Sequence, residues 1–354
     1  MSITRVIATH YDVQKKRRNS FLDGWTKHYR TVVQRSEVQL FDTARRMRRG
    51  VYIGDEAGRP SRTIDATVHE IDPGMTSTIH RHSWDAAVLC IGGWGWTEID
   101  GQRINWGPGD ALHLPAWAWH RHGNEGDQVA RFLTASSEPF LETMGMAIAE
   151  EAGDAPFEEL GSRPGFTESV EGGDPLAVRI KRLASDQRQQ RAGRLHTSWD
   201  DVQLLRAPRE QRTSFLVDKS IGYATSGLTM VVAEFAPGRG QKFIHRHPGE
   251  AWLYVLEGHG HSIVGYDPDR CEEHAWQKGD LIVVDHFLWH QHFNDDKENV
   301  ARLVRMHIFD SLLQTMRALC YPLELLEEPR DAHTSPDPQI PPVWPDETPR
   351  PTWP

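Results

Sequence analysis

Cysteine is scarce in this 354-residue chain: Cys90, Cys271 and Cys320 are scattered and odd in number. That excludes a disulfide framework and points to the cytoplasm rather than an oxidising compartment. No apolar run is long enough to span a membrane, and the N-terminus, MSITRVIATHYDVQKKRR, lacks the apolar centre of a secretory signal. Positive charge is in deficit, with 40 Lys and Arg against 50 Asp and Glu and a net charge of −10. This argues against a nucleic-acid partner or an anionic membrane surface. The basic run QKKRR at 14–18 reads as part of a solvated arm. No nucleotide-binding loop, serine nucleophile elbow or cysteine-pair motif is present.

What the chain does contain is an internal repeat. The stretch 80–124 begins HRHSWDAAVLCIGGWGW and the stretch 245–294 begins HRHPGEAWLYVLEGHGH, matching without gaps at His, Arg, His, Ala and two Gly. The copies continue as GDALHLPAWAWHRHGN and GDLIVVDHFLWHQHFN, so Gly109, His120 and Asn124 correspond to Gly279, His290 and Asn294. A repeat of this kind sets the architecture as two copies of one β-domain.

Local patterns divide the chain further. Residues 1–50 read as an N-terminal arm with partial helical periodicity that puts Trp25, Tyr29 and Val32 on one face. Alternation from Thr63 onward predicts strands of a first barrel over 51–137, with Pro73-Gly74 as a turn. A helical linker is expected over 138–213. It has one helix over 137–153, opened by Ser and Pro, and another over 174–193, opened by Asp174-Pro175 and closed by Gly193. The second barrel is expected over 214–310, and 311–354 as a helix followed by a proline-rich tail in which Trp344 and Trp353 serve as anchors.

In a strand, alternate residues share a face, so His80 and His82 project together while Arg81 points away. His120, on a later strand, adds a third imidazole, and His245, His247 and His290 repeat the set. Three neutral nitrogen ligands with open positions beside them suit Fe, Cu, Ni or Zn better than Mg or Ca.

The spacing Gly74, His80, His82, then Gly109, Pro115, Trp117, His120 and Asn124, with its second copy, resembles the signature of the cupin superfamily. The resemblance implies an all-β bicupin built of two jelly-roll barrels. The family's usual Glu ligand falls at Ala86 and Ala251. Asp85 and Glu250 stand one residue earlier, and a one-residue shift in a strand turns a side chain to the opposite face. Three-histidine sites are therefore expected in both barrels.

Within the superfamily the first copy is similar to the dioxygenases that cleave the rings of gentisate, salicylate or 1-hydroxy-2-naphthoate. That resemblance implies Fe(II) on His80, His82 and His120, a small aromatic substrate together with O2, and a cytoplasmic homo-oligomer in aromatic catabolism. His122 is then the substrate-side hydrogen-bond donor or acid/base, and Trp84, Trp96 and Trp119, with Asp85, line the substrate. Those relatives carry an arginine where this chain has Val88, so Arg62 is the candidate guanidinium, and phenols or hydroquinones join the expected substrates. In the gentisate group the C-terminal barrel has usually lost its ligands. Here it keeps them, which implies a second divalent metal. His259, His261, His286 and His292 crowd the second copy as candidate outer partners of that site or a pH-sensitive cluster. Two alternatives remain: a Mn-dependent bicupin decarboxylase or lyase, whose chemistry prefers a carboxylate ligand, and a metal-stabilised small-molecule binding protein.

Overall fold

The computed structural model describes residues 29–61, 63–160, 173–191, 193–207, 210–247, 249–286 and 288–308, with residues 12, 13, 16, 344, 350 and 351. Arg62, Trp25, Phe287, Cys320, Trp353 and the helix expected after Asp310 lie outside them.

Alternating sequences fold here into antiparallel sheets stacked in two sandwiches. In the first, a seven-stranded sheet runs in the order His196–Thr197, Ala111–Leu114, Ala86–Gly92, Ala130–Ser136, Ala66–Ile71, Arg48–Ile53, Phe41–Asp42. It faces a five-stranded sheet of Ala149–Gly153, Ile79–His82, His120–Gly123, Gly95–Ile99 and Gln102–Trp106. The second sandwich repeats the large sheet as Val32–Val33, Leu281–Val284, Ala251–Glu257, Ala301–Ile308, Leu228–Phe235, Arg212–Val217 and Leu205–Arg206. Its smaller sheet joins Glu272–Gln277, His259–Gly265 and Trp289–Asn294, and His245 bridges His290 beside it.

The Ala86–Gly92 strand is buried along its whole length because both its faces are covered. Val88 and Cys90 point into the first barrel, whereas Ala87, Leu89 and Ile91 join a core that also contains Trp252, Tyr254 and Val304 of the second. The two large sheets thus pack back to back. Tyr52 meets Tyr254 edge-to-face at 6.2 Å and donates to the Gly279 carbonyl at 2.7 Å.

Two arms are exchanged across this contact. Val32 and Val33, ahead of the first barrel in sequence, pair with Ile282 and Leu281 of the second, and Tyr29 donates to the Val283 carbonyl at 2.7 Å. His196 and Thr197 pair in return with Leu112 and Ala111 of the first. Each arm lands on a Gly-Asp turn. Gly109 and Gly279 have φ of +92° and +91°, and a Cβ there would lie 2.8 Å from Trp199 and 2.9 Å from Arg35 respectively. Glycine is needed both for the left-handed backbone and for that approach. The following Asp110 and Asp280 accept the Trp199 and Arg35 amides at 2.8 and 2.9 Å.

Two local expectations fail. Val32 lies in a strand, not on a helical face with Tyr29, because it completes the edge of a sheet. The helix expected over 137–153 spans only Glu138–Thr143; Gly145, at φ +69°, reverses the chain, and Ala149–Gly153 becomes a strand beside Ile79–His82. Tertiary pairing overrides the local pattern there, since Glu150 receives Arg81 at 2.7 Å and Glu151 receives Arg45 at 2.9 Å. The second helix runs Pro175–Arg191, with Asp174 Oδ1 accepting the Leu176 and Ala177 amides. Among the described residues no helix is long and apolar enough to cross a membrane.

Candidate metal centre

His80 and His82 stand on one strand and His120 on its neighbour, opposite His80 in the ladder. The alternation that turns both strand histidines inward turns Arg81 outward, over Trp119 at 4.2 Å. One ring nitrogen from each histidine falls in a group within 4.8 Å, and all three residues are buried. His82 Nδ1 donates to the Trp84 carbonyl at 2.6 Å and His120 Nδ1 to the Ala118 carbonyl at 2.9 Å. Those bonds fix the tautomers and free each Nε2 as a ligand. The Nε2 atoms of His80 and His120 stand 3.0 Å apart. Two nitrogens bound to one metal at about 2.1 Å and at right angles have about that separation. Burial, above all, holds His80 and His120 well below the usual imidazole pKa and His82 at about 4, so all three are neutral. The residues therefore fit a divalent metal.

The second triad repeats the first closely. The ring centroids of His245 and His290 lie 4.2 Å apart, as do those of His80 and His120. The spacing from His247 to His290 is 4.8 Å, against 4.9 Å from His82 to His120. His290 Nδ1 donates to the Leu288 carbonyl at 2.8 Å, as His120 does to Ala118.

Ala86 faces the first triad. Asp85 is turned to the other barrel: it accepts the Ser226 amide at 2.9 Å, bonds to the Ser226 hydroxyl, and lies 3.3 Å from His113 Nε2. Glu250 does the reciprocal thing, accepting Ser61 Oγ at 2.8 Å and the Thr63 amide at 3.3 Å. The one-residue shift thus sends both carboxylates into clamps between the barrels. It also corrects the expectation that Asp85 lines the substrate.

A cavity of about 640 Å³ opens above the first triad, lined by Trp84, Leu114, Met47, Phe132 and His122 among others. Trp84 lies flat on His82 at 4.5 Å. Trp96 and Trp119, expected beside it, sit on the outer face of the five-stranded sheet. Trp96 packs on Gly123 under Arg103, and Trp119 packs under Arg81. The arginines that the described residues present to the cavity are Arg45, paired to Glu151, and Arg49, paired to Glu56 at 2.6 Å.

His122 faces the cavity and is held by a relay that sequence reasoning missed. Thr97 Oγ1 accepts Trp106 Nε1–H at 3.0 Å and lies 2.9 Å from His122 Nδ1; with the hydroxyl proton turned to Nδ1, the imidazole proton sits on Nε2. The second barrel has the same relay, Trp276 to Ser262 at 2.9 Å and Ser262 to His292 at 2.7 Å. The repeat hides it because nine residues separate Thr97 from Trp106 and fourteen separate Ser262 from Trp276. Of the other crowded histidines, His261 pairs with Asp295 at 2.9 Å and His286 with Asp285 at 2.8 Å.

Fold and site together define a bicupin: stretches 67–136 and 231–308 match the cupin domain model, one in each barrel. Over 318 residues, 86% of this chain and 78% of the relative, the chain is 26% identical to the 1-hydroxy-2-naphthoate 1,2-dioxygenase of Nocardioides sp. (strain KP7). It is 24% identical to the 5-aminosalicylate 1,2-dioxygenase of Comamonas sp over 67% of this chain and 64% of that one. Among solved structures, the salicylate 1,2-dioxygenase of Pseudoaminobacter salicylatoxidans with gentisate aligns at a TM-score of 0.57. The alignment covers 92% of this chain and 97% of that one at 19% identity, a likeness of fold.

Proposed function

We propose that this bicupin is a ring-cleaving dioxygenase that acts on a hydroxylated aromatic compound in its first barrel, with Fe(II) held by His80, His82 and His120. The observation that carries the reading is the three-imidazole face opening on a cavity of about 640 Å³, a size ordinary for a small-molecule site. The second barrel has the same triad over a cavity of about 20 Å³, which leaves no space for an aromatic ring. Its role is a structural metal.

Bound there, ferrous iron supplies the electron exchange between an electron-rich ring and dioxygen. The chain's own residues do the rest. Trp84, Leu114, Met47 and Phe132 form apolar walls that hold a ring and exclude water. His122 presents its Nε2–H as a donor to a substrate oxygen, and the Trp106–Thr97 pair keeps that tautomer. Arg45 and Arg49 supply positive charge, and an anionic substituent competes with Glu151 and Glu56 for them. A decarboxylase reading is weaker, since alanines stand at both carboxylate-ligand positions.

The test is dioxygen uptake by protein reconstituted anaerobically with Fe(II), over a panel of salicylates, gentisate, hydroxynaphthoates, hydroquinones and aminophenols. Uptake with both atoms of labelled dioxygen in a ring-opened product is expected. If the Fe(II)-loaded protein takes up no dioxygen with any aromatic of the panel, the reading is wrong.

A further inference from the structure

The two walls of the first cavity differ in chemistry. One carries the histidines. The other is built from inward-facing residues of Ala66–Ile71 and Ala130–Ser136, which pair His69 with Phe132 and Thr67 with Thr134. Beyond them the Ser136 amide donates to Asp65 Oδ1 at 2.8 Å, and Glu138 follows on the same rim. Thr67 is 2% exposed and its Oγ1 has no hydrogen-bond partner, although the residue lines the cavity. His69 Nδ1 is likewise buried and unpartnered, while its Nε2 lies 3.2 Å from Thr134 Oγ1. An orphaned buried hydroxyl is costly unless a hydrogen-bonding group meets it.

Charge points the same way. The two cavity arginines are matched by Glu151 and Glu56, and among the described residues neither Asp65 nor Glu138 forms a salt bridge. Two carboxyls are therefore in excess on this wall. Burial holds Asp65 up at about 6; burial, then the neighbouring Asp65, holds Glu138 up at about 7. The fold itself does not require them. At the same registers the second barrel has Thr229 with His307, Val231 with Arg305, and Ala233 with Leu303.

We infer that this wall is a specificity subsite for a hydrogen-bond-donating substituent on the aromatic ring, an amino group or a hydroxyl, received by Asp65, Glu138 and Thr67. The inference rests on the reading of the first barrel as an aromatic-binding site. The apolar residues near the triad hold the ring, and the acceptors select what it carries on the side away from the metal.

The test reads binding rather than turnover. Full-length protein loaded with redox-inert Zn(II) is titrated, by calorimetry or tryptophan fluorescence, with phenol, para-aminophenol, hydroquinone and para-methoxyphenol. The amino and hydroxyl ligands are expected to bind about tenfold tighter than the methoxy ligand. The Asp65→Asn/Glu138→Gln double variant, checked for unchanged zinc stoichiometry, loses that preference but keeps the affinity for phenol. Thr67→Val, which alters one buried atom, loses about threefold of it. A larger loss for the amine marks an amino group as the natural donor, and equal losses mark a hydroxyl. Equal affinity for donor and methoxy ligands, or a preference unchanged in both variants, overturns the inference and leaves the functional reading standing. If no ring in the series binds, the functional reading falls and the inference with it.

Discussion

The two barrels hold the same three histidines in nearly the same geometry, yet one triad faces a chamber and the other a crevice. The difference arises on the opposite sheet. Thr134 in the first barrel corresponds to Arg305 in the second, where the long side chain lines the small cavity with Gln211 and Gln241. A three-histidine face is thus separable from the cavity before it: the histidines come from one sheet and the room from the other. Duplication kept the first in both copies and the second in one.

The largest expected effect comes from exchanging that one position. Thr134→Arg should cut dioxygen uptake by more than about a hundredfold with metal content unchanged, because a filled chamber cannot align a ring. The second barrel already accommodates arginine at this register, so the variant should fold. Steady-state uptake beside metal analysis measures it, and retained activity would mean that cavity volume does not separate the barrels. The relays give a smaller contrast. Thr97→Val should lower kcat by about tenfold or more and shift the pH profile of kcat, as loss of an outer partner usually does. Ser262→Val should leave both unchanged. Matched losses would place catalysis in both barrels.

The clamps should be alike where the cavities are not. Asp85→Ala and Glu250→Ala each leave buried donors of the other barrel unsatisfied, at a cost of about 3 kcal/mol by urea denaturation. A large inequality between them would break the symmetry inferred for the interface. The smallest effect is on pH dependence. Asp65 and Glu138 have folded pKa values raised from 3.8 and 4.5 to about 6 and about 7. The stability they contribute is therefore full below about pH 4 and lost as pH rises through 6 to 7. Asp65→Asn should flatten that fall in urea midpoints measured from pH 4 to 8, whereas Thr229→Val in the second barrel should not.

Much of this was legible in the chain. The doubled His-x-His and the later histidine carried the repeat, the sheets and both triads, and strand period alone turned Asp85 and Glu250 away from Ala86 and Ala251. What was not legible depends on pairings between distant segments. The chamber is decided by which residue of 130–136 faces 66–71, and no local pattern gives that register. The exchanged arms cannot be seen until Val32 finds Ile282, and the strand at 149–153 forms by pairing with Ile79–His82, where Arg81 and Arg45 reach Glu150 and Glu151. Trp96 and Trp119 misled for the opposite reason. Their proximity to ligands in sequence was real, but strand faces and packing under arginines keep them outside the barrel.

Comparing His80→Ala with His245→Ala, each analysed anaerobically for iron and then for substrate-driven dioxygen uptake, separates the two barrels most directly. The expected result is loss of about one metal equivalent in each variant, with uptake abolished in His80→Ala and largely retained in His245→Ala, whose midpoint in urea falls instead. Uptake abolished by His245→Ala but kept in His80→Ala would contradict the assignment and move the active site to the crowded barrel.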